Sequence, residues 1–224
     1  MKTNKEYKNE ALAALKGQWA PAVVATIVAF VIAIIAVAPS QIMSFMAENE
    51  TLVAENPYAI LALWPVAMIF TIFLYYPTMT VGYQNAIRSL AIDGEENVTS
   101  NFFAHTFKGY WKNVWACFLM VLFIFLWSLL LLIPGIIKGY AYILTPYILK
   151  DNPELSANQA INLSQKMMKG HKFDLFYLML SFIGWGILGI FTLGIGYLWL
   201  MPYMYAAFAA FYQDVKKEYM TNNI

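Results

Sequence analysis

The sequence predicts an all-α membrane protein with six transmembrane helices, organised as three tandem repeats of an interfacial helix followed by a helical hairpin. Three observations lead to this prediction. The chain has 224 residues, of which 61% are hydrophobic and only 12% are charged, about half the charged fraction of a typical soluble domain. Its apolar residues are grouped in long runs, and its basic residues alternate with those runs. We therefore interpret residues 1–224 as a single multi-pass membrane domain.

Six apolar runs are candidates for transmembrane helices, because a helix of about 20 apolar residues crosses the hydrocarbon core of a bilayer. The fourth run is the shortest and includes Lys138. At the helical rise it reaches only about 22 Å. It either crosses a thinned bilayer with Lys138 extended toward the outer headgroups, or re-enters without crossing. The six runs are residues 20–38, 59–81, 114–133, 135–149, 175–193 and 194–212.

The basic residues decide between these alternatives and set the orientation. All but one of the 14 Lys and Arg residues lie before the first run, between the second and third, between the fourth and fifth, or after the sixth. These four segments share one side of the membrane if every run crosses, and Lys and Arg collect in cytoplasmic loops. Segment 39–57 contains three glutamates and no basic residue, so it is expected outside. We therefore predict six crossings with both termini in the cytoplasm.

A short amphipathic segment that ends in a Lys-Gly pair precedes each odd-numbered run. Glycine adopts the left-handed conformation that ends many helices, and a lysine beside it would lie among the lipid phosphates. Phe103 and Phe107 are expected on one face of the second segment, and the third starts with a capping box from Ser156 to Gln159. The predicted interfacial helices are residues 4–16, 98–108 and 156–169.

Each even-numbered run contains a proline, at Pro77, Pro146 or Pro202. Proline removes a backbone hydrogen bond and kinks a helix. Together with the Lys-Gly pairs, this pattern predicts a threefold internal repeat of hairpins. A fourth pair, Lys138-Gly139, does not fit the pattern. Chance recurrence of Lys-Gly is therefore the alternative explanation.

One block of the sequence resembles a known family. The segments "GIIKGYAYILTPYILKDNPELSANQAINLSQKMMKGHKFDLF", "LTLGIG", "PYM" and "AAFYQDV" fall within residues 135–214. This block resembles a bacterial family of six-pass membrane proteins called domain of unknown function 975 (DUF975). The resemblance implies a multi-pass protein of the bacterial cytoplasmic (inner) membrane, and it implies no activity. The layout is also distantly similar to the membrane domain of glycerophosphodiester phosphodiesterases, whose soluble catalytic domain is not found in this sequence.

The polar residues that follow the first two prolines form the candidate site. Arg88 is the only arginine of the chain, and we expect it near Asp151 or Glu154, because a cation where water is scarce gains from a carboxylate partner. The third hairpin would supply an apolar wall, and Lys138 is a candidate outer site. The alternative is that these residues are ordinary anchors at the headgroup level. The predicted cytoplasm-facing polar vestibule consists of Gln84, Asn85, Arg88, Asp151, Asn152 and Glu154.

Two functional hypotheses follow. The first is transport, or handling of a lipid or small molecule, through the polar vestibule. The alternative is a non-catalytic membrane scaffold or partner-binding subunit. We expect no enzyme activity, no cofactor and no catalytic or metal site, because Cys117, His105 and His171 lack a set of further ligands at metal spacing. The expected partners are membrane lipids, and a protein partner or second copy of the chain; the net charge of +1 gives no reason to expect nucleic acid.

Overall fold

The computed structural model describes residues 1–48, 58, 65–67, 69–95 and 97–222. Within these residues the chain is all-helical and contains no strand. The helices are α1 (Asn4–Leu15), α2 (Trp19–Glu48), α3 (Pro65–Asp93), α4 (Val98–Phe107), α5 (Tyr110–Leu130), α6 (Leu132–Tyr142), α7 (Thr145–Asp151), α8 (Ala157–Met167), α9 (Lys172–Leu180), α10 (Ile183–Phe191) and α11 (Tyr197–Asn222).

Five helical segments of the described residues are long and apolar enough to cross a membrane, judged by length and composition. The all-α class and the multi-pass membrane character are thereby confirmed. The sixth predicted run forms the start of α11, which is not among the five, so six crossings stay a prediction. The five segments are Trp19–Glu48, Pro65–Asp93, Tyr110–Leu129, Leu132–Asp151 and Lys172–Phe191.

The apolar helices differ from the predicted runs at their ends. The first continues through Pro39 to Glu48, so much of the acidic segment expected as a loop is helical up to that residue. The fourth extends from Leu132 to Asp151, which makes it longer than the predicted run and long enough to cross without a thinned bilayer. Parts of the second run, residues 59–64 and 68, lie outside the described residues.

Helices form at all three positions where the sequence predicts amphipathic segments. Each is followed by its Lys-Gly pair, and the glycine has a positive φ in every case: 82° at Gly17, 67° at Gly109 and 96° at Gly170. Glycine adopts this left-handed conformation without the Cβ clash of other residues. The capping box that begins α8 is also present, because Ser156 and Gln159 exchange both hydrogen bonds. The Lys-Gly pairs are therefore helix ends.

These three helices pack alongside the proline-containing segments. Helix α4 approaches α3 so closely that a Cβ on Gly82 would lie 2.0 Å from Thr106 Oγ1. Helix α8 contacts the fourth segment, where Ser164 Oγ donates to the Ala141 carbonyl at 2.7 Å. Helix α1 lies along α11, where Tyr7 Oη donates to an Asp214 oxygen at 2.6 Å. One face of each helix is therefore buried against protein, and the position of the three helices at a membrane interface stays a prediction.

Phe103 and Phe107 lie on one face of α4, as the sequence predicts, and their stacked rings have centroids 6.5 Å apart. Phe102 and Thr106 are buried, whereas Phe103 and Phe107 are exposed. The reason is the close approach of α3, because Gly82 lies opposite Thr106 and selects that side of α4 for packing. The two exposed phenylalanines instead join an aromatic surface described below.

The three prolines lie in different local structures. Pro77 begins a π-helical stretch that ends at Tyr83, and such stretches accommodate a break in the regular hydrogen-bond ladder. Pro146 lies in the first turn of α7, after an interruption of the helix at residues 143–144. Pro202 lies inside the continuous helix α11. The equivalence of the three hairpins, and hence the internal repeat, stays a prediction.

The core is formed by the C-terminal halves of α3 and the fourth segment, by residues 200–215 of α11, and by the three amphipathic helices, with small residues of α2 packed against them. Large apolar and aromatic side chains there are almost fully buried, and they surround the polar residues of the candidate site. Examples are Tyr83, Ile87, Phe102, Tyr147, Ile148, Ile161, Phe211 and Tyr212.

Candidate functional site

The centre of the candidate site is an ion pair between Arg88 and Asp151. One guanidinium nitrogen of Arg88 lies 2.5 Å from Asp151 Oδ1, and the two side chains are only 6% and 10% exposed. The second carboxylate oxygen accepts hydrogen bonds from Tyr212 Oη at 2.7 Å and from Lys216 Nζ at 2.5 Å. The contact joins α3, α7 and α11. The contact between Arg88 and a carboxylate that the sequence led us to expect is therefore present.

The charges of this cluster do not balance. Arg88 and Lys216 both face the single carboxylate of Asp151, and both cations also lie over the Tyr212 ring, at 5.4 and 5.9 Å from its centroid. Arg88 Nε has no hydrogen-bond partner although it is buried. A buried charge is stable only when it is paired and hydrogen-bonded. The cluster therefore carries a positive charge in excess and a donor that an anionic group could satisfy.

Several neutral polar atoms around the cluster also lack partners. Buried polar atoms in proteins are nearly always hydrogen-bonded, and leaving one unsatisfied costs about 1–3 kcal/mol. Such atoms mark places where a water or a ligand group would be stabilised. They are Gln84 Oε1, Asn85 Oδ1, Thr145 Oγ1 and Tyr147 Oη.

A cavity of about 190 Å³ lies beside Tyr147, whose ring stacks on that of Tyr212 in the cluster, with the centroids 5.1 Å apart. Gln84, Tyr147 and Tyr205 supply polar groups to its wall. The remaining wall is apolar and comes mostly from α9 and α11, the hairpin for which the sequence predicts an apolar wall. The cavity is therefore amphipathic. Its apolar lining consists of Ile143, Leu144, Leu175, Met179, Met201, Met204, Phe208 and Phe211.

The six residues of the predicted vestibule do not line one cavity. Asn85 donates through Nδ2 to the Pro146 carbonyl at 3.0 Å and lines a different pocket. Asn152 donates to the Ile148 carbonyl of its own helix at 3.2 Å. Glu154 is exposed, and it forms no ion pair in the described part of the chain. Asn152 and Glu154 do not join Asp151 because α7 ends at that residue, so both belong to the turn that follows the helix.

Lys138 is separate from the cluster. Its Nζ donates to Gln165 Oε1 at 3.0 Å and lies 4.7 Å from the centroid of the Trp127 ring. Gln165 belongs to α8, which the sequence assigns to the cytoplasmic side, whereas Lys138 is assigned to the outer side. Because the two residues are in contact, they cannot lie on opposite sides of the membrane as the sequence assigns them. They meet because α8 packs alongside the fourth segment (Leu132–Asp151) instead of lying across its cytoplasmic end.

Sequence reasoning missed two members of the cluster, Tyr212 and Lys216. Residues four apart lie on the same face of a helix, so their spacing indicates that the two side chains share a face, although it does not indicate which group they contact. Thr145 and Tyr147 are not among the predicted site residues, and in the structure their hydroxyl groups are buried without partners. Among the described residues, no three His, Cys, Asp or Glu side chains are grouped so that they could hold a metal ion.

The fold and its buried polar site define an all-helical, multi-pass membrane protein. Residues 128–219 match the model of the family described as protein of unknown function (DUF975), which confirms, over this segment, the resemblance found in the sequence. The matched segment contains Asp151, Tyr212 and Lys216, whereas Arg88 precedes it. No curated protein and no solved structure matches the chain. The similarity to the membrane domain of glycerophosphodiester phosphodiesterases stays a prediction.

Proposed function

We propose that this protein binds a lipid-like or anionic amphiphile at the amphipathic cavity, as part of membrane transport or of lipid or small-molecule handling. The observation that carries the proposal is the cavity itself, where buried polar atoms without partners face an apolar wall. A ligand with an apolar body and a polar end would satisfy both surfaces. The excess positive charge of the adjoining cluster favours a negatively charged polar end.

The size of the cavity limits what it can hold. Its volume of about 190 Å³ is below the roughly 300–1,000 Å³ of a pocket that encloses a drug-sized molecule. In this conformation it therefore accommodates only part of an amphiphile. Three of its wall residues, Met179, Met201 and Met204, have flexible side chains that adapt to irregular ligands. We propose that these side chains move to admit the rest of the molecule.

The proposal concerns binding without catalysis. The sequence contains no recognised nucleophile, base or metal motif to support a reaction. The scaffold hypothesis differs in its expectation for the cavity, because a scaffold needs no ligand there. Membrane lipids are the proposed partners in the first case, and a protein or a second copy of the chain in the other.

We also propose six crossings of a bacterial inner membrane, with both termini in the cytoplasm and three tandem repeats. The support for the repeat is a shared packing relation. Helix α4 packs on the segment that precedes it, as does α8, and α1 packs on α11 at the far end of the chain. Each amphipathic helix thus lies against one proline-containing segment, as a closed arrangement of three units would require.

Cysteine labelling from outside tests the topology. In a Cys117→Ala background, Ser44→Cys should react with a membrane-impermeant maleimide, and Asn158→Cys should not react until the membrane is opened. Labelling of Asn158→Cys from outside would overturn the topology. It would also resolve the conflict over Lys138 and Gln165 in favour of an outer position for both residues.

Native mass spectrometry of the purified protein tests the ligand. The wild type should retain a small molecule or lipid, and Gln84→Leu should reduce the retained fraction severalfold while the protein stays folded. Gln84→Leu removes an unsatisfied buried oxygen and also the side-chain hydrogen bond between Gln84 and Tyr205, so the melting temperature of the variant is measured as the control for folding. Gln213→Leu is the matched control, because Gln213 lies on α11 outside the cavity lining. A wild type with nothing bound, or equal retention of the bound species by the wild type and Gln84→Leu, would favour the scaffold.

A further inference from the structure

A second cavity, of about 340 Å³, lies where α3, α4, α5 and the end of α7 meet. Its lining is markedly basic, and we call it the basic pocket. Four of its residues are Lys or His, and no carboxylate is among the lining residues that the structure describes. The lining consists of Val81, Asn85, Ala104, His105, Lys108, Gly109, Lys112, Asn113, Leu149, Lys150 and Pro153.

The lysines of the basic pocket are not equally free. Lys150 is held by Asp93 at 2.7 Å and by Ser89 Oγ at 2.6 Å, so its charge is compensated. Lys112 donates to the Pro153 carbonyl, which occupies one of the three N–H donors of an ammonium group. Lys108 is exposed, and among the described residues it has neither an ion pair nor a side-chain hydrogen bond. Two lysines of the pocket therefore present uncompensated charge.

The start of α5 adds donors of the same kind. This 21-residue helix begins after Gly109, and no side chain caps it. The first backbone N–H groups of a helix point outward and carry a partial positive charge that favours anions. Asn113 fixes this end relative to α4, because its Nδ2 donates to the carbonyls of His105 and Lys108, each at 3.2 Å. The helix start and Lys108 are therefore held together at the pocket.

Asn85 is an independent indication that the pocket binds a ligand. Its side chain is only 1% exposed, it lines the pocket, and its Oδ1 has no hydrogen-bond partner. A carbonyl oxygen only accepts hydrogen bonds, so the missing partner must be a donor. A ligand that suits the pocket therefore combines an anionic group with a neighbouring hydroxyl or amine.

An exposed aromatic surface adjoins the basic pocket. Phe107, Trp111 and Trp115 are 57%, 72% and 54% exposed. The first two are joined through Tyr110, whose ring centroid is 5.9 Å from Phe107 and 5.6 Å from Trp111. Aromatic rings concentrate where a membrane protein meets the headgroup region. A free anion would not need this surface, whereas an anion attached to acyl chains would contact it.

We infer that the basic pocket is a binding site for an anionic phospholipid. Lys108, Lys112 and the start of α5 contact its phosphate, and Asn85 accepts a hydrogen bond from a headgroup hydroxyl. The aromatic surface contacts the first part of the acyl chains. This site is distinct from the amphipathic cavity, so either proposal can fail without the other.

The test compares two double variants of the full chain in detergent. Lys108→Gln with Lys112→Gln removes the uncompensated charges of the pocket. Lys16→Gln with Lys169→Gln is the matched control, because these lysines occupy the other two Lys-Gly helix ends outside the pocket. The probes are dioleoyl phosphatidylglycerol, dioleoyl phosphatidic acid and dioleoyl phosphatidylcholine, titrated by native mass spectrometry, and inorganic phosphate as a competitor. The melting temperature of each variant controls for folding.

We expect phosphatidylglycerol to bind the wild type more tightly than phosphatidylcholine. The pocket variant should bind it at least about tenfold more weakly, as the loss of hydrogen bonds to a charged group predicts, and the control should bind as the wild type does. Phosphatidic acid lacks the headgroup hydroxyl and should bind more weakly than phosphatidylglycerol, despite its greater charge. Inorganic phosphate should not displace the lipid at equal concentration.

Three results would overturn the inference. Equal losses in the pocket and control variants would mean that the lipid responds only to the general charge of the protein. Equal binding of phosphatidylglycerol and phosphatidylcholine would exclude a phosphate-reading site for anionic lipids. Binding of inorganic phosphate that depends on Lys108 and Lys112, with no lipid bound, would make the pocket a site for the free anion. A pocket variant that unfolds is replaced by Lys108→Gln alone, for which the same expectations hold.

Discussion

Two regions of this molecule are similarly apolar, but the side chains of one are exposed on the protein surface and those of the other are buried in the core. Helices α2 and α10 present large side chains outward, for example Ile34 at 69% and Phe191 at 80% exposure. By contrast, the C-terminal halves of α3 and the fourth segment and the middle of α11 are largely buried, and Ile148 is 0% exposed. Lipid solvates the first kind of surface as well as protein does, so apolar character alone does not drive helices together in a membrane. What distinguishes the second region is its polar contacts.

Those contacts occur where the proline-containing segments meet. Arg88 with Asp151 and Asn85 with the Pro146 carbonyl each join helices that are distant in sequence. Away from water, such groups are stabilised only by one another. The comparison therefore indicates that the polar cluster specifies the core, while the exposed helices anchor it. Four predictions test this difference, from the largest expected effect to the smallest.

Asp151→Ala should be the most damaging substitution. It would leave Arg88 and Lys216 close together and partly or fully buried without a carboxylate, and loss of one partner from a buried ion pair costs about 3–5 kcal/mol. Folded yield and thermal unfolding in detergent measure the effect. Asp93→Ala is the control, because its ion pair with Lys150 is more exposed and should cost less than about 1 kcal/mol. Equal effects would remove the special role of the cluster.

A pair of identical substitutions compares the two regions directly. Ile148→Ala should destabilise the protein by about 2–5 kcal/mol, because it opens a cavity in a packed core. Ile34→Ala should change stability by no more than about 0.5 kcal/mol, as is usual for exposed positions. Both are read from thermal unfolding in the same detergent. A large loss for Ile34→Ala would mean that α2 packs on a surface absent from this single chain.

Arg88→Ala should have a smaller effect than Asp151→Ala, about 1–3 kcal/mol, because Lys216 still pairs with the remaining carboxylate. Folded yield and retained lipid must be measured together. A fall in bound species with folding intact would make the cluster part of a binding site. No change in either would make Arg88 a surface anchor and favour the scaffold, and loss of folding alone would make the pair structural.

The effect that should be smallest near neutral pH is that of protonation. Burial, reinforced by the positive charge of Lys150, lowers the pKa of His105 to about 4. Between the ordinary histidine pKa of about 6.5 and that value, the unfolded chain binds a proton that the folded chain does not. Stability should therefore fall as pH decreases through this window. Thermal unfolding of the wild type and of His105→Gln measures the effect, and an unchanged slope in the variant would assign it to other groups.

How much of the site could be predicted depends on the range of the interactions. From the sequence, Arg88 could be expected beside Asp151 or Glu154, because an arginine where water is scarce gains from a carboxylate partner, and the structure pairs it with Asp151. Tyr212 and Lys216 could not be assigned to the same carboxylate, since more than 60 residues separate them from Asp151. Gln84 and Asn85 are adjacent in sequence and line different cavities, because successive helix residues point about 100° apart.

The sequence by itself determined the features that arise within a few residues of one another. These are the apolar runs, the amphipathic helices and the Lys-Gly ends, which follow from side-chain polarity, helical periodicity and the left-handed conformation of Gly17, Gly109 and Gly170. Only the tertiary structure decided which face of each helix is buried, that α8 lies back along the fourth segment, and which polar groups meet. These outcomes depend on close approaches between distant segments, such as Gly82 against Thr106, and no local pattern encodes them.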